Sequence, residues 1–366
     1  MLNSCVHYGI EKKLSINRSY SDRIKALMPL KTTSRDPRTP VSIWKELDRL
    51  EGRPDKTMVV IFRTGGCSWY NFSSCSMCGY FNDVASNVST EDLMAQIDHL
   101  VDSMGDVRQL KVFTSGSFLD PMEVSLKARD YFFSKISDKV STVLIESRTE
   151  YITKQNLANI SSFGPRIRIA IGLESANDII IRESINKGSS FAKFSNAASV
   201  VNDSGLDLRT YLLFKPPFLS EKKSIEDMLD SISRVRNIST DISINPMNIQ
   251  KNTMVEYLWK KGLYRLPTLY GLSKILIEGS KSGAQVVSYP TGGNKERGVH
   301  NQNPDHELLN LIYSSSLEQD FAKLSNYLEK SDISQYERFL ELEDRNLYQP
   351  DIIKMISRTS KATFLN

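Results

Sequence analysis

Short apolar runs recur along the chain, and each is followed by a longer stretch whose apolar residues return every three or four positions. The runs are 58–64 (MVVIFRT), 110–114, 142–147 (TVLIES), 167–174 (IRIAIGLE), 206–215 (LDLRTYLLFK) and 241–247 (DISINPM). Helical periodicity fills 89–105, 121–135, 153–162, 190–204 and 221–237. Ser89 and Asp92 are spaced as a capping box, and Asp120 followed by Pro121 reads as the start of the next helix. Strands that are nearly continuously apolar, alternating with helices, predict a parallel sheet covered on its outer face. Six such units in roughly 200 residues predict an α/β fold, a partial (β/α)6 TIM-like barrel, since a full eight-unit barrel takes about 250.

The flanks differ. Residues 1–45 form a basic N-terminal extension carrying Lys12, Lys13, Arg18, Arg23, Lys25, Lys31, Arg35 and Arg38. The barrel is expected over 46–290. Residues 291–366 read as a glycine-rich loop (GGNKERGVHN) followed by a small helical C-terminal extension.

Composition narrows the class. With 40% hydrophobic and 25% charged residues, the chain has enough apolar surface to fold. No run approaches the roughly 20 apolar residues of a membrane span, and the N-terminus lacks a signal-peptide core, so a cytoplasmic protein with no membrane partner is expected. A net charge of +4 permits a nucleic-acid partner without demanding one. Three of the four cysteines crowd into one segment, Arg63-Thr-Gly-Gly-Cys67-Ser-Trp-Tyr-Asn-Phe-Ser-Ser-Cys75-Ser-Met-Cys78-Gly-Tyr80, directly after the first strand. Two metals compete for this Cys-x7-Cys-x2-Cys spacing. Zinc needs a fourth ligand, which has to come from Cys5, His7, His99, His300 or His306. A [4Fe–4S] cluster on three thiolates keeps one iron open for chemistry. The loop sits at the carboxyl end of a barrel strand, where such folds place reacting groups.

Three cysteines at that place resemble the radical SAM superfamily. The wide spacing, with IESRTEYI (145–152), GLES (172–175), INPMNIQKNT (244–253) and ERGVHN (296–301), resembles the archaeal radical SAM subunits of archaeosine synthase, relatives of the elongator-type radical SAM tRNA enzymes. The resemblance implies a [4Fe–4S] cluster on Cys67, Cys75 and Cys78, with S-adenosyl-L-methionine chelated to the open iron. It implies Met77 or Tyr80 packing on adenine. It implies Ser115, Gly116 and Ser117 receiving the methionine amino group, although the superfamily often has a Gly-Gly-Glu type turn there. Glu174 and Ser175 are expected near ribose, Ser175 having a helix-capping role as its alternative. Arg148 is expected on a carboxylate, with an ion pair to Glu146 as its alternative, and Arg209 in contact with the cofactor. The implied reaction cleaves a C–N bond of the lysine adduct of 7-cyano-7-deazaguanine at position 15 of archaeal tRNA, leaving archaeosine. The implied partners are tRNA, the lysine-transferring subunit, and an electron donor such as ferredoxin or flavodoxin. Another elongator-like tRNA modifier, or a zinc-stabilised RNA-binding protein without turnover, are the competing readings. Lys222, Lys223, Lys260, Lys261 and Arg265 are candidates for a phosphate-binding patch or a solvated face. Trp69 and Tyr70 either stack on a base or shield the cluster. The GGNKERGVHN loop either closes over a flipped base or links barrel to tail.

Overall fold

The computed structural model describes residues 20–28 and 35–347. All six expected strands are present: β2 (Arg53–Ile61), β3 (Gln109–Phe113), β4 (Thr142–Glu146), β5 (Arg166–Glu174), β6 (Asp207–Phe214) and β7 (Asp241–Pro246). Two more flank them, β1 (Ser42–Leu50) and β8 (Val286–Val287), in the sheet order β1 to β8. β1 pairs antiparallel with β2 through a tight turn at Glu51 and Gly52, both at positive φ, and every later pairing is parallel.

The helices follow the strands. α1 (Ser68–Phe72) lies in the cysteine loop. α2 (Thr90–Ser103) starts at the expected capping box, where Ser89 and Asp92 exchange hydrogen bonds. α3 (Leu126–Ile136) starts later than expected. Ser125 is its cap, and Asp120 instead accepts from the Met122 amide in a preceding turn. α4 (Lys154–Ser161), α5 (Phe191–Asp203), α6 (Glu221–Val235), α7 (Met254–Lys260) and α8 (Leu269–Lys281) complete the covering layer. The tail folds as α9 (His306–Glu318), α10 (Ala322–Lys330) and α11 (Ser334–Leu347). Among the described residues no helix is long and apolar enough to cross a membrane.

The strands alternate more than their sequence suggests. One face of each (Leu110, Val112, Val143, Ile145, Ile169, Leu212, Ile244) is buried against the helices with Phe132, Phe133, Phe194 and Met228. The other face points into the lumen and carries charge. Arg209 donates to Asp241 at 2.7 Å and to Asp48 of β1 at 2.8 Å. Arg168 reaches Asp241 at 2.6 Å and Gln109 at 2.9 Å, and Lys111 reaches Asp48 and Glu46, each at 2.7 Å. Gln109, Arg168, Arg209 and Asp241 lie at or near the amino ends of their parallel strands, and Asp48 lies near the carboxyl end of the antiparallel β1, so an ion network closes the floor of the barrel. The two sheet edges are bridged by α9: Arg49 of β1 donates to the Leu317 carbonyl, and Gln319 donates to the Val286 carbonyl, each at 2.8 Å.

The tail is pinned by a buried cation. Lys215, just after β6, contacts Glu343 of α11 at 2.7 Å. At the other end, a short helix over 20–26 sends the Tyr20 hydroxyl to the Ser184 carbonyl and Lys25 to the Asn71 carbonyl. Of the expected basic extension, Lys12, Lys13, Arg18 and Lys31 lie outside the described residues. Arg35 and Arg38 meet Asp83 and Asp92.

Candidate metal centre at the carboxyl face

The cysteine loop opens at the end of β2 and is held from three sides. Asn186 accepts from the Trp69 indole and donates to Ser73 and to the Ser74 carbonyl. The Ser76 amide and hydroxyl donate to the Ile185 and Ser184 carbonyls. These partners belong to a π-helical turn (Ile180–Ile185) and to Asn186, which sits at positive φ. Such turns occur frequently at functional sites. From the β7 side, Gln250 accepts from the Gly79 amide, and Asn82 donates to the Lys251 carbonyl. Beneath, Glu123 holds the turn after β3: its carboxylate accepts from the Gly116 amide at 2.9 Å, the Ser117 amide at 2.6 Å and the Thr64 hydroxyl at 2.7 Å.

Cys67, Cys75 and Cys78 are free thiols, all half-buried. Burial pushes each one up, Cys78 to about 12. Two cations oppose that shift. Arg148 lies 3.5 Å from the Cys67 sulfur and lowers it, and Lys187 lowers Cys75 and Cys78. Thiols so placed are neutral until a metal takes their protons' place. Among the described residues no three His, Cys, Asp or Glu side chains converge as a single ion requires. A cube accepts each thiolate at a different iron, so three thiols on one loop suit it without meeting at a point.

Gly116 is required by this packing. A Cβ there would lie 2.7 Å from the Cys67 Cβ and 2.8 Å from its Cα. Because the obstacle includes backbone, Gly116→Ala is expected to displace Cys67 and lower iron incorporation while far-UV circular dichroism stays unchanged. Full iron content in that variant would refute the close fit.

The expected site residues divide into two groups. Around the thiols stand Arg148, the 115–117 turn, Glu174 and Tyr80. Arg148 also donates to Ser68 at 2.9 Å and pairs with Glu150, so the expected alternative pair with Glu146 is corrected. Ser115 opens the turn and is half-buried, and the Ser117 hydroxyl meets Ser147 at 2.8 Å. Glu174, at positive φ, pairs with Lys187 at 2.7 Å, and Lys187 also donates to the Gly172 carbonyl. Tyr80 is 48% exposed and lies near Glu146, Cys78 and Glu174. Three residues are engaged by other partners. Met77 packs against a second apolar cluster with Met247, Ile249 and Met254. The Ser175 hydroxyl turns outward to Asp227 at 2.8 Å and accepts from the Asn177 amide, a capping role that corrects the ribose assignment. Arg209 lies in the floor network, its guanidinium shared by Asp48 and Asp241, which corrects its assignment to the cofactor.

The remaining candidates are engaged inside the protein. Trp69 lies against Gly188, and Tyr70 stacks on Phe81 at 5.3 Å. Lys222, Lys223 and Lys260 pair with Glu341, Glu226 and Glu256, while Arg265 sits over the Phe339 ring. The GGNKERGVHN loop is docked on the segment after β7: Arg297 donates to the Ile249 carbonyl and pairs with Glu256 at 2.6 Å. Sequence reasoning missed Glu123 and Lys187. Glu123 fell inside a helix predicted to begin at 121, and Lys187 follows a π-turn that leaves no pattern in IIRESI.

No family model matches the chain. Archaeosine synthase subunit beta of Methanosarcina acetivorans is 38% identical over 296 residues, covering 78% of this chain and 86% of that protein. The protein of the same name from Thermococcus kodakarensis is 32% identical over 301 residues, covering 78% and 92%. Among solved structures, an N-terminally truncated Elp3 from Methanocaldococcus infernus is 14% identical, covers 71% of this chain and 63% of that one, and gives a TM-score of 0.47. The two curated relatives carry the name to which the cysteine loop pointed. With identity at this level running over most of both proteins, the chain belongs to the archaeosine synthase subunit beta family.

Proposed function

We propose that the protein is a radical SAM tRNA-modifying enzyme that cleaves a C–N bond of the lysine adduct of 7-cyano-7-deazaguanine in archaeal tRNA, giving archaeosine. The observation that carries this reading is the set of three free thiols, flanked by Arg148 and Lys187, over the mouth of a polar lumen. Cys67, Cys75 and Cys78 would hold a [4Fe–4S] cluster, which with S-adenosyl-L-methionine supplies a 5′-deoxyadenosyl radical for hydrogen abstraction.

The chain's own residues bind, orient and exclude water. Glu123 fixes the turn at 116–117 against Cys67, the turn expected to receive the amino group of S-adenosyl-L-methionine. Arg148 presents a guanidinium beside Cys67, suited to a carboxylate. Glu174 and Lys187 form a charged pair at the rim. The floor network closes the end opposite the thiols. Enclosure protects a reactive species from solvent. The family name implies at least one further subunit; a lysine-transferring partner, tRNA, and a ferredoxin or flavodoxin as electron donor complete the proposal.

The test is anaerobic reduction of iron-loaded protein with S-adenosyl-L-methionine and lysine-modified tRNA. Archaeosine and 5′-deoxyadenosine are expected to appear together. Iron-loaded protein that forms neither would overturn the reading.

A further inference from the structure

Along the floor and at the mouth of the lumen, carboxylates of the strands are paired with cations. At the floor, Asp48 and Asp241 share Arg209, and Lys111 and Arg168 add further contacts. Glu46 takes Lys111, and at the mouth Glu174 takes Lys187. Glu146 lies between these levels. It ends β4, and its register partner Ala170 is two residues below Gly172, whose carbonyl holds Lys187. Among the described residues no cation lies within 4.0 Å of its carboxylate. Beside it stands the phenol of Tyr211 on β6, whose register partner is Ser243 of β7. Asn245, one lumen position further up, accepts from Ser243.

A half-buried carboxylate inside a lumen, without a cation, is costly. Enclosure pushes Glu146 up to about 8, and the pull of Tyr211, Lys187 and Lys111 does not cancel that rise. A cation arriving from the mouth would restore the charge and extend the pairing seen among the strand residues of the floor and at Glu174. The cation must ride on a chain slender enough to pass the cysteine loop while the bulk of its carrier stays outside. A primary ammonium at the end of an aliphatic arm meets those conditions; a guanidinium or a metal ion would call for more oxygen ligands than Glu146 and Tyr211 supply.

We infer that Glu146, beside the Tyr211 hydroxyl, receives the α-amino group of the substrate's lysine arm, the end remote from the bond that breaks, and that the α-carboxylate on the same carbon is met by the cations on either side, Lys187 and Lys111. This rests on the reaction proposed above and names the part of the substrate that reaches deepest. Glu146 is thus a specificity-determining residue, and Tyr211 positions it.

The test compares two tRNAs, one carrying the lysine adduct and one carrying the same arm without its α-amino group. Wild-type holoenzyme is expected to favour the lysine arm in kcat/KM by roughly 10- to 100-fold, the range for a hydrogen-bonded charge. Glu146→Gln is expected to erase most of that preference with S-adenosyl-L-methionine affinity unchanged, and Tyr211→Phe to erase part of it. A Glu146→Gln enzyme that keeps the wild-type preference overturns the inference. So does one whose defect is in S-adenosyl-L-methionine affinity, because the carboxylate would then belong to the cofactor's pocket. Equilibrium binding of the two armed nucleosides to unreduced holoprotein separates the claims. If wild type produces no 5′-deoxyadenosine yet binds the lysine-armed nucleoside more tightly than Glu146→Gln does, the reaction falls and the amine site stands. Equal binding by both proteins removes the site.

Discussion

Cys75→Ala is expected to yield a folded protein that retains almost no iron after anaerobic reconstitution, against about four iron and four sulfide per chain in wild type. The brown absorbance should vanish with it. The loss should be near total, because the cluster has only three proposed thiolates and two cannot hold it against exchange into solvent. The fold should survive. Cys75 packs beside the second apolar cluster, so its contribution to the fold is one of packing. Removing one sulfur from a half-buried site costs on the order of 1 kcal/mol, less than the stability of a typical domain. Cys5→Ala is the matching control. It tests the fourth thiol, which lies outside the described residues, and iron content is expected to be unchanged. Iron loss from Cys5→Ala would mean that a fourth side chain fills the corner reserved for S-adenosyl-L-methionine, and the proposed chemistry would go with it. Normal iron in Cys75→Ala would remove Cys75 as a ligand.

The barrel was legible because each parallel strand keeps one face of valine, isoleucine and leucine against the helices, as at Val143 and Ile145 or Ile169 and Ile171. β1 was not, since its strand SIWKELDRL has charge on both faces: Asp48 turns into the lumen, and Leu47 is 51% exposed. The Glu51-Gly52 turn was its readable signal. Arg209 was correctly placed in the lumen and wrongly placed along it. A polar residue on an apolar strand tells which face it is on; its third position in β6, counted from the amino end, puts it at the floor, away from the chemistry. Ser175 needed tertiary information, because only the packing of α6 brings Asp227 opposite its hydroxyl. The cysteines needed none. Three thiols on one loop are near each other whatever the rest of the chain does, and for that reason their proximity was legible in the sequence while most of their surroundings were not.

The floor network is where a single substitution should do most harm to stability. Arg209 is 2% exposed and is the shared partner of Asp48 and Asp241, which are as deeply buried. Burial raises both carboxyls, but Arg209, with Lys111 beside one and Arg168 beside the other, overcomes it and holds both below the usual carboxylate range. A depressed carboxyl contributes stability above its unfolded pKa and loses it as pH falls through the folded value. Wild type is therefore expected to weaken only below about pH 4 through these groups. Arg209→Leu leaves two buried carboxylates with too little positive charge, and breaking a buried pair in this way costs about 3–5 kcal/mol. Burial then dominates and lifts the carboxyls above their unfolded range, so the folded variant binds more protons than its unfolded chain. Its stability should fall as pH rises from about 5 to 7.5, where these groups leave wild type flat. Urea unfolding of both proteins at those two pH values measures this directly. A midpoint shift that is small, or the same at both values, would show that Lys111 and Arg168 suffice to hold the floor without the guanidinium between them.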